Sequence, residues 1–260
     1  WGAIELGAFS LPFTMVWIVG VINAMNLIDG LDGLASGVAF VAVATNFLIA
    51  LMSGNVMMML LMAAMAGAIL GFLIYNFNPA SIFMGDTGSM FLGFILATSS
   101  IITSSKSYAT VSMLVPILAL GLPIMDTFLA MGRRAIRGQP LFSADKEHVH
   151  HKLLAMGLSQ RRTVIVLYGV CVVFALMALS IVYANGRQTA LILAMTAVVA
   201  FIFIRKLGYF SVLSEDVSRE RQRNLAVREQ VRQIGEVLQS AIHPAQAWGA
   251  IQELGPAMHL

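Results

Sequence analysis

Charge is what this chain has least of. Of its 260 residues only 16 are Lys or Arg and 13 are Asp or Glu, 11% in all; a soluble domain carries about a quarter. That scarcity argues against a soluble all-helical core. The net charge of +3 gives no reason to expect nucleic acid as a partner. There is one cysteine, Cys171, so no disulfide can form within the chain; a lone Cys in an apolar run reads as a small hydrophobe. Strict apolar–polar alternation is missing too, which argues against a transmembrane β-barrel. The histidines have neither a companion Cys nor an HExxH pattern beside them, so zinc chemistry has little to stand on.

What is present is hydrocarbon. The chain is 58% apolar, and several runs approach the roughly 20 residues needed to cross a bilayer. The expected fold is an all-α, polytopic membrane helical bundle with about seven spans. These fall near 10–26, 37–53, 56–75, 88–104, 109–131, 163–184 and 188–205. The Met-rich run at 56–65 reads as packing or lipid-facing surface. Two regions are expected: a membrane part, 1–206, and a helical tail, 207–260. In the tail Val227, Val231, Ile234, Leu238 and Ala241 form an apolar stripe, suited to packing on a neighbouring surface or on a second copy as a homodimer.

Positive charge sets the expected sidedness. Arg133, Arg134, Arg137, Lys146, Lys152, Arg161, Arg162, Arg205 and Lys206 fall on one set of connections; Lys106 and Arg187 fall on the other. The basic side is the cytoplasmic one, so the connections at 26–36, 76–87 and 132–162 and the tail are expected there.

Three polar clusters share that face. The first is NAMNLIDGLDGLASG, residues 23–37, with Asn23, Asn26, Asp29 and Asp32 at three-residue steps. Asn23 and Asn26 share a helix face, while Gly30 and Gly33 let the aspartates turn inward. Carboxylate and carboxamide oxygens are hard ligands suited to Mg²⁺; helix caps are the structural alternative. The second cluster, NFNPASIFMGDTGS, places Asp86 between Gly85 and Gly88, as an N-cap or as a metal ligand. The third holds His148, His150 and His151, better matched to phosphate contacts than to zinc. Asp126 lies within an apolar run, where an acid is functional or paired; the Arg133–Arg134 pair is the expected partner, and its role stays open. A transporter would carry its polar groups near the bilayer midplane, whereas these clusters sit at span ends.

These motifs, in this order, resemble those of polyprenyl-phosphate N-acetylhexosamine-1-phosphate transferases, over about residues 1 to 206. Within that family the loop EHVHHKLLAMGLSQRR looks like the bacterial undecaprenyl-phosphate GlcNAc-1-phosphate branch; Val149 interrupts the three consecutive histidines of the sister branch that transfers phospho-MurNAc-pentapeptide. The resemblance implies transfer of N-acetylhexosamine 1-phosphate from a UDP-sugar to a polyprenyl phosphate, with release of UMP, in the bacterial cytoplasmic membrane. It implies Mg²⁺, with Mn²⁺ as the alternative, held by Asn26 and Asp86. It implies a uridine site around Gly30, Asp32 and Phe83, diphosphate and sugar contacts at His148, His150 and His151, and further substrate contacts at Asn23 and Asn76. Asp29, Asp32, Asp86 and His148 are the expected catalytic residues, with the role of Asp29 unassigned. The family also carries an Asp-Asp pair followed by Lys ahead of the first motif. This sequence has no Asp-Asp dipeptide and opens at Trp1, without Met or a signal peptide; the expectation is an N-terminally truncated chain, and the competing reading is an inactive membrane scaffold of the same fold.

Overall fold

The computed structural model describes residues 7–104, 114–136 and 148–208, together with positions 225, 229 and 232. A 3₁₀ turn, Gly7–Phe9, leads into α1, Ser10–Ile28. Then come α2, Leu34–Met52; α3, Val56–Asn76; and α4, Gly85–Ser104. The short α5, Leu114–Ala119, precedes α6, Gly121–Ile136, and the two-turn α7, Val149–Ala155. The long α8, Gln160–Val182, and α9, Gly186–Lys206, complete the series. The protein is an all-α, multi-pass membrane bundle.

Six helices among the described residues are long and apolar enough to cross a membrane: the segment ending in α1, then α2, α3, α4, α8 and α9. Hydropathy along the sequence suggests about seven. The difference lies in the run 109–131, whose described part is interrupted at Leu120. Pro123 has no N–H to offer the Ala119 carbonyl, so one rung of the helical ladder is missing there. The hairpin ends follow side-chain chemistry. Asn55 caps α3 by accepting from the Met58 N–H, and Asn185 with Gln188 forms a capping box at the start of α9.

The chain divides into two compact units. The first comprises 1–129 and 145–207, the second 130–144 and 208–260. In the first, α2 is the central element. Two-thirds of its apolar window is buried, against 17% for α3 and 6% for α9. It packs on α3 and α8, while α1 packs on α4. Small residues permit these crossings: a Cβ on Gly93 of α4 would stand 2.8 Å from the Ile22 Cα of α1, and one on Gly37 of α2 would enter the Tyr168 ring of α8. The Trp17 indole donates to the Ala97 carbonyl at 3.2 Å, which meets the rule that polar groups within hydrocarbon find internal partners. In the second unit the described tail positions Leu225, Glu229 and Arg232 are helical, with an exposed Glu229–Arg232 pair at 2.6 Å. The tail stripe from Val227 to Ala241, the stretch WGAIEL, the link around Lys106, and Arg137 and Lys146 lie outside the described residues.

The Gly37–Tyr168 contact yields a stability prediction. Gly37→Ala should cost roughly 1–3 kcal/mol, the usual penalty of overpacking, read as a lower thermal midpoint in detergent. In a Tyr168→Ala background most of that cost should vanish. An equal cost in both backgrounds would refute the packing account.

Candidate functional site at one end of the bundle

Three connections meet at one end of the first unit: residues 29–33, residues 77–84, and α7 with the start of α8. Buried carboxamides join them. Asn76, the last residue of α3, is 4% exposed. Its Oδ1 accepts from the Gly33 N–H at 3.2 Å and from the Ser36 hydroxyl at 2.7 Å, while its Nδ2 donates to the Ile82 carbonyl at 2.9 Å. Both lone pairs of the amide oxygen are thereby used, so Asn76 ties the first connection to the second. Gly33 can serve because its backbone is left-handed, φ +79°; its carbonyl accepts from the Tyr168 hydroxyl.

Asp32 makes a second tie. Its Oδ2 accepts from the Asn78 side-chain amide at 3.0 Å and from the Ala80 N–H at 3.1 Å. Asn78 in turn donates to Gln160 Oε1 at 2.9 Å, and its carbonyl accepts from Arg161 Nε at 2.8 Å. Asp32 thus sits at the foot of a network reaching α8. Asn78, Gln160, Arg161 and Tyr168 do not stand out as site residues in the sequence; each lies far along the chain from its partner, and only tertiary contact reveals it.

The third group is Asn26, Asp29, Asp86 and Ser89. Asn26 lies in the last turn of α1. Its amide donates to Asp86 Oδ1 and to Ser89 Oγ, both at 3.0 Å. With both donors committed, the carbonyl oxygen is the remaining hydrogen-bonding atom of that side chain. Asp86 stands in the first turn of α4, where the helix dipole favours an anion. Ser89, fully buried one turn on, shares that face and donates to the Gly85 and Asp86 carbonyls. That i, i+3 spacing is the signal in the sequence that could have found it. Asp29, half-buried at the end of α1, is pushed up to about 6 by burial and then by the charge of Asp86. Two carboxylates and one carboxamide therefore neighbour one another, with the Asn26 amide nitrogen, not its oxygen, turned to Asp86.

The histidine segment begins with His148 as the cap residue of α7. His148 Nδ1 lies 2.9 Å from Asp126 Oδ2, and the Val149 N–H donates to Asp126 Oδ1 at 2.9 Å. Asp126, expected to pair with Arg133 and Arg134, thus holds the start of the histidine helix. His150, inside the first turn of α7, is 2% exposed and lies against Gly30, where any Cβ would collide with its ring. Among the described residues, neither ring nitrogen of His150 has a hydrogen-bond partner. Burial, with His151 next, pushes it down to about 4, so it is neutral at physiological pH. The His148 and His150 rings lie parallel with centroids 5.8 Å apart, and His151 tilts against His150 at 4.3 Å.

The structure therefore joins Asn26 with Asp86, Gly30 with His150, and Asp32 and Asn76 with the second connection. Asn23 and Phe83 are exposed and enter none of these hydrogen bonds. Among the described residues no three His, Cys, Asp or Glu side chains are grouped so as to hold a metal. The donor set at Asn26, Asp29 and Asp86 instead suits Mg²⁺, which takes one or two carboxylates and completes its shell with water and substrate phosphate.

Residues 1–104 match the family Glycosyl transferase family 4. A probable undecaprenyl-phosphate N-acetylglucosaminyl 1-phosphate transferase of Bacillus subtilis is 46% identical over 175 residues, 67% of this chain and 49% of that protein. A decaprenyl-phosphate N-acetylglucosaminephosphotransferase of Mycobacterium tuberculosis is 37% identical over 212 residues, 74% of this chain and 52% of that protein. A phospho-N-acetylmuramoyl-pentapeptide-transferase of Thermoanaerobacter is 49% identical over 100 residues, 38% of this chain and 32% of that protein. The chain spans about half the length of the first two relatives. On the family match and these identities, the chain belongs to glycosyl transferase family 4.

Proposed function

We propose that this chain forms part of a membrane enzyme that transfers N-acetylhexosamine 1-phosphate, most simply GlcNAc-1-phosphate, from a UDP-sugar to a polyprenyl phosphate. The observation that carries the reading is the gathering of hard oxygen donors and a histidine helix at one end of an apolar bundle. The names of the relatives from Bacillus subtilis and Mycobacterium tuberculosis support the sugar and the lipid acceptor. An amphiphilic acceptor and a water-soluble donor can meet only at a membrane interface, and the charge bias of the sequence supports the cytoplasmic side for this end.

In the reaction a phosphate oxygen of the lipid forms a bond to the β-phosphorus of the UDP-sugar. The bond from that phosphorus to the bridging oxygen breaks, and the oxygen leaves on UMP. Such transfers depend on positioning and electrostatics more than on covalent help from the protein. Asn26 and Asp86, with Asp29 beside them, would hold Mg²⁺, which when bound offsets the negative charge of the diphosphate. Ser89 orients Asn26 by taking one of its two amide protons. Asp32 and Asn76 fix the two connections that frame the site. His148, His150 and His151 lie at the start of α7, with His151 the exposed one, and would supply the contacts to the diphosphate and sugar.

Two substitutions test this. Asp86→Ala in the intact gene product should lower UMP release from UDP-GlcNAc and undecaprenyl phosphate by about 10²-fold or more, the scale of losing a preorganised electrostatic group; normal turnover would sink the metal assignment. Ser89→Ala should leave the protein folded but raise the Mg²⁺ concentration for half-maximal activity roughly 10-fold, as loss of an outer-shell partner does. An unchanged Mg²⁺ dependence would mean that Ser89 does not act through Asn26.

A further inference from the structure

Asp126 is the buried acid that the reaction just described leaves without a task. It is 2% exposed, and His148 is 5% exposed. Its two oxygens divide between two partners on one short segment: Oδ2 faces His148 Nδ1 at 2.9 Å, and Oδ1 takes the Val149 N–H at 2.9 Å. The second bond satisfies a backbone donor in the first turn of α7, which no helical carbonyl can reach. The first has a chemical consequence. A carboxylate can only accept, so in either charge state of the imidazole the proton on Nδ1 faces Asp126. Nε2 is then the nitrogen whose protonation can change.

We infer that Asp126 is a positioning residue: it fixes the tautomer and direction of His148 so that Nε2 is presented to the phosphate groups of the substrate. The inference rests on the transferase reading for the identity of that substrate, but its geometry does not. Two residues on, Gly30 receives the His150 ring. The first turn of the segment is thus held at two successive points, and His148 cannot swing without breaking the Asp126 contact. A carboxylate behind an imidazole selects the tautomer in the same way in other enzymes, where exchanging it for an amide inverts the tautomer while leaving the shape intact.

The test combines a spectrum with kinetics, on the intact gene product in lipid nanodiscs. In nitrogen-15 histidine-labelled protein, the His148 signals, assigned by their loss in His148→Gln, should report a proton on Nδ1 at neutral pH. In Asp126→Asn that proton should move to Nε2. With Asp126→Asn, kcat should fall about 10²-fold while KM for UDP-GlcNAc stays within about threefold, the pattern of a contact realised in the transition state. Asp126→Glu should recover part of the rate. Added to His148→Gln, Asp126→Asn should cost little further, because residues acting as a unit are not additive. A proton on Nε2 in the wild-type protein overturns the inference, whether or not any variant folds. So does a full further loss in the double variant, which marks a purely structural role. A wild-type protein that keeps Nδ1 protonated yet releases no UMP overturns the transferase reading alone and leaves the Asp126–His148 arrangement supported.

Discussion

The burial of one carboxamide organises this end of the molecule. Asn76 leaves water at the last residue of α3, and a polar side chain can do so only if its hydrogen bonds are replaced. The replacements lie on two different connections, the Gly33–Ser36 turn and the Ile82 carbonyl. Satisfying Asn76 therefore fixes where the α1–α2 turn lies relative to the α3–α4 loop. Asp32 repeats the tie from the other direction. With both loops held, the end of α1 and the start of α4 come side by side, and Asn26 meets Asp86.

The same arrangement explains the electrostatics. Asp29 is half-buried and Asp86 beside it is exposed, and burial plus the charge of Asp86 keeps Asp29 well above the ordinary aspartate range. A structure built for stability alone would not collect like charges there. Burial keeps His150 neutral, and its ring packs on Gly30, next to Asp29, as an apolar body with polar edges.

Much of this architecture is legible in the order of the amino acids. Continuous apolar runs identify the long helices, because lipid imposes a length and a composition. The polar clusters mark the end at which the candidate site lies, because carboxylates and carboxamides gather there at the ends of apolar spans. The run at 109–131 is read less fully: 109–113 lie outside the described residues, and in the rest hydropathy registers Pro123 as one residue among many, whereas helix geometry registers a missing donor. Asn76 and Asn26 are indistinguishable by type and by neighbourhood, yet one has its oxygen saturated by the backbone and a hydroxyl while the other has only its amide protons engaged. That difference belongs to tertiary structure. The partner of Asp126 lies 22 residues away, past any local periodicity, and the nearby arginines are the more visible candidates.

Helix α7 has seven residues, too few to persist alone in water, where isolated helices shorter than about 12 residues are marginal. Its shape is therefore on loan from Asp126 and Gly30, which belong to other parts of the chain. Any event that loosens the α1–α2 turn also releases the surface on which His150 rests. Order in the histidine segment is thus a readout of whether the neighbouring turn is assembled, and an incompletely folded chain would carry its histidines without displaying them.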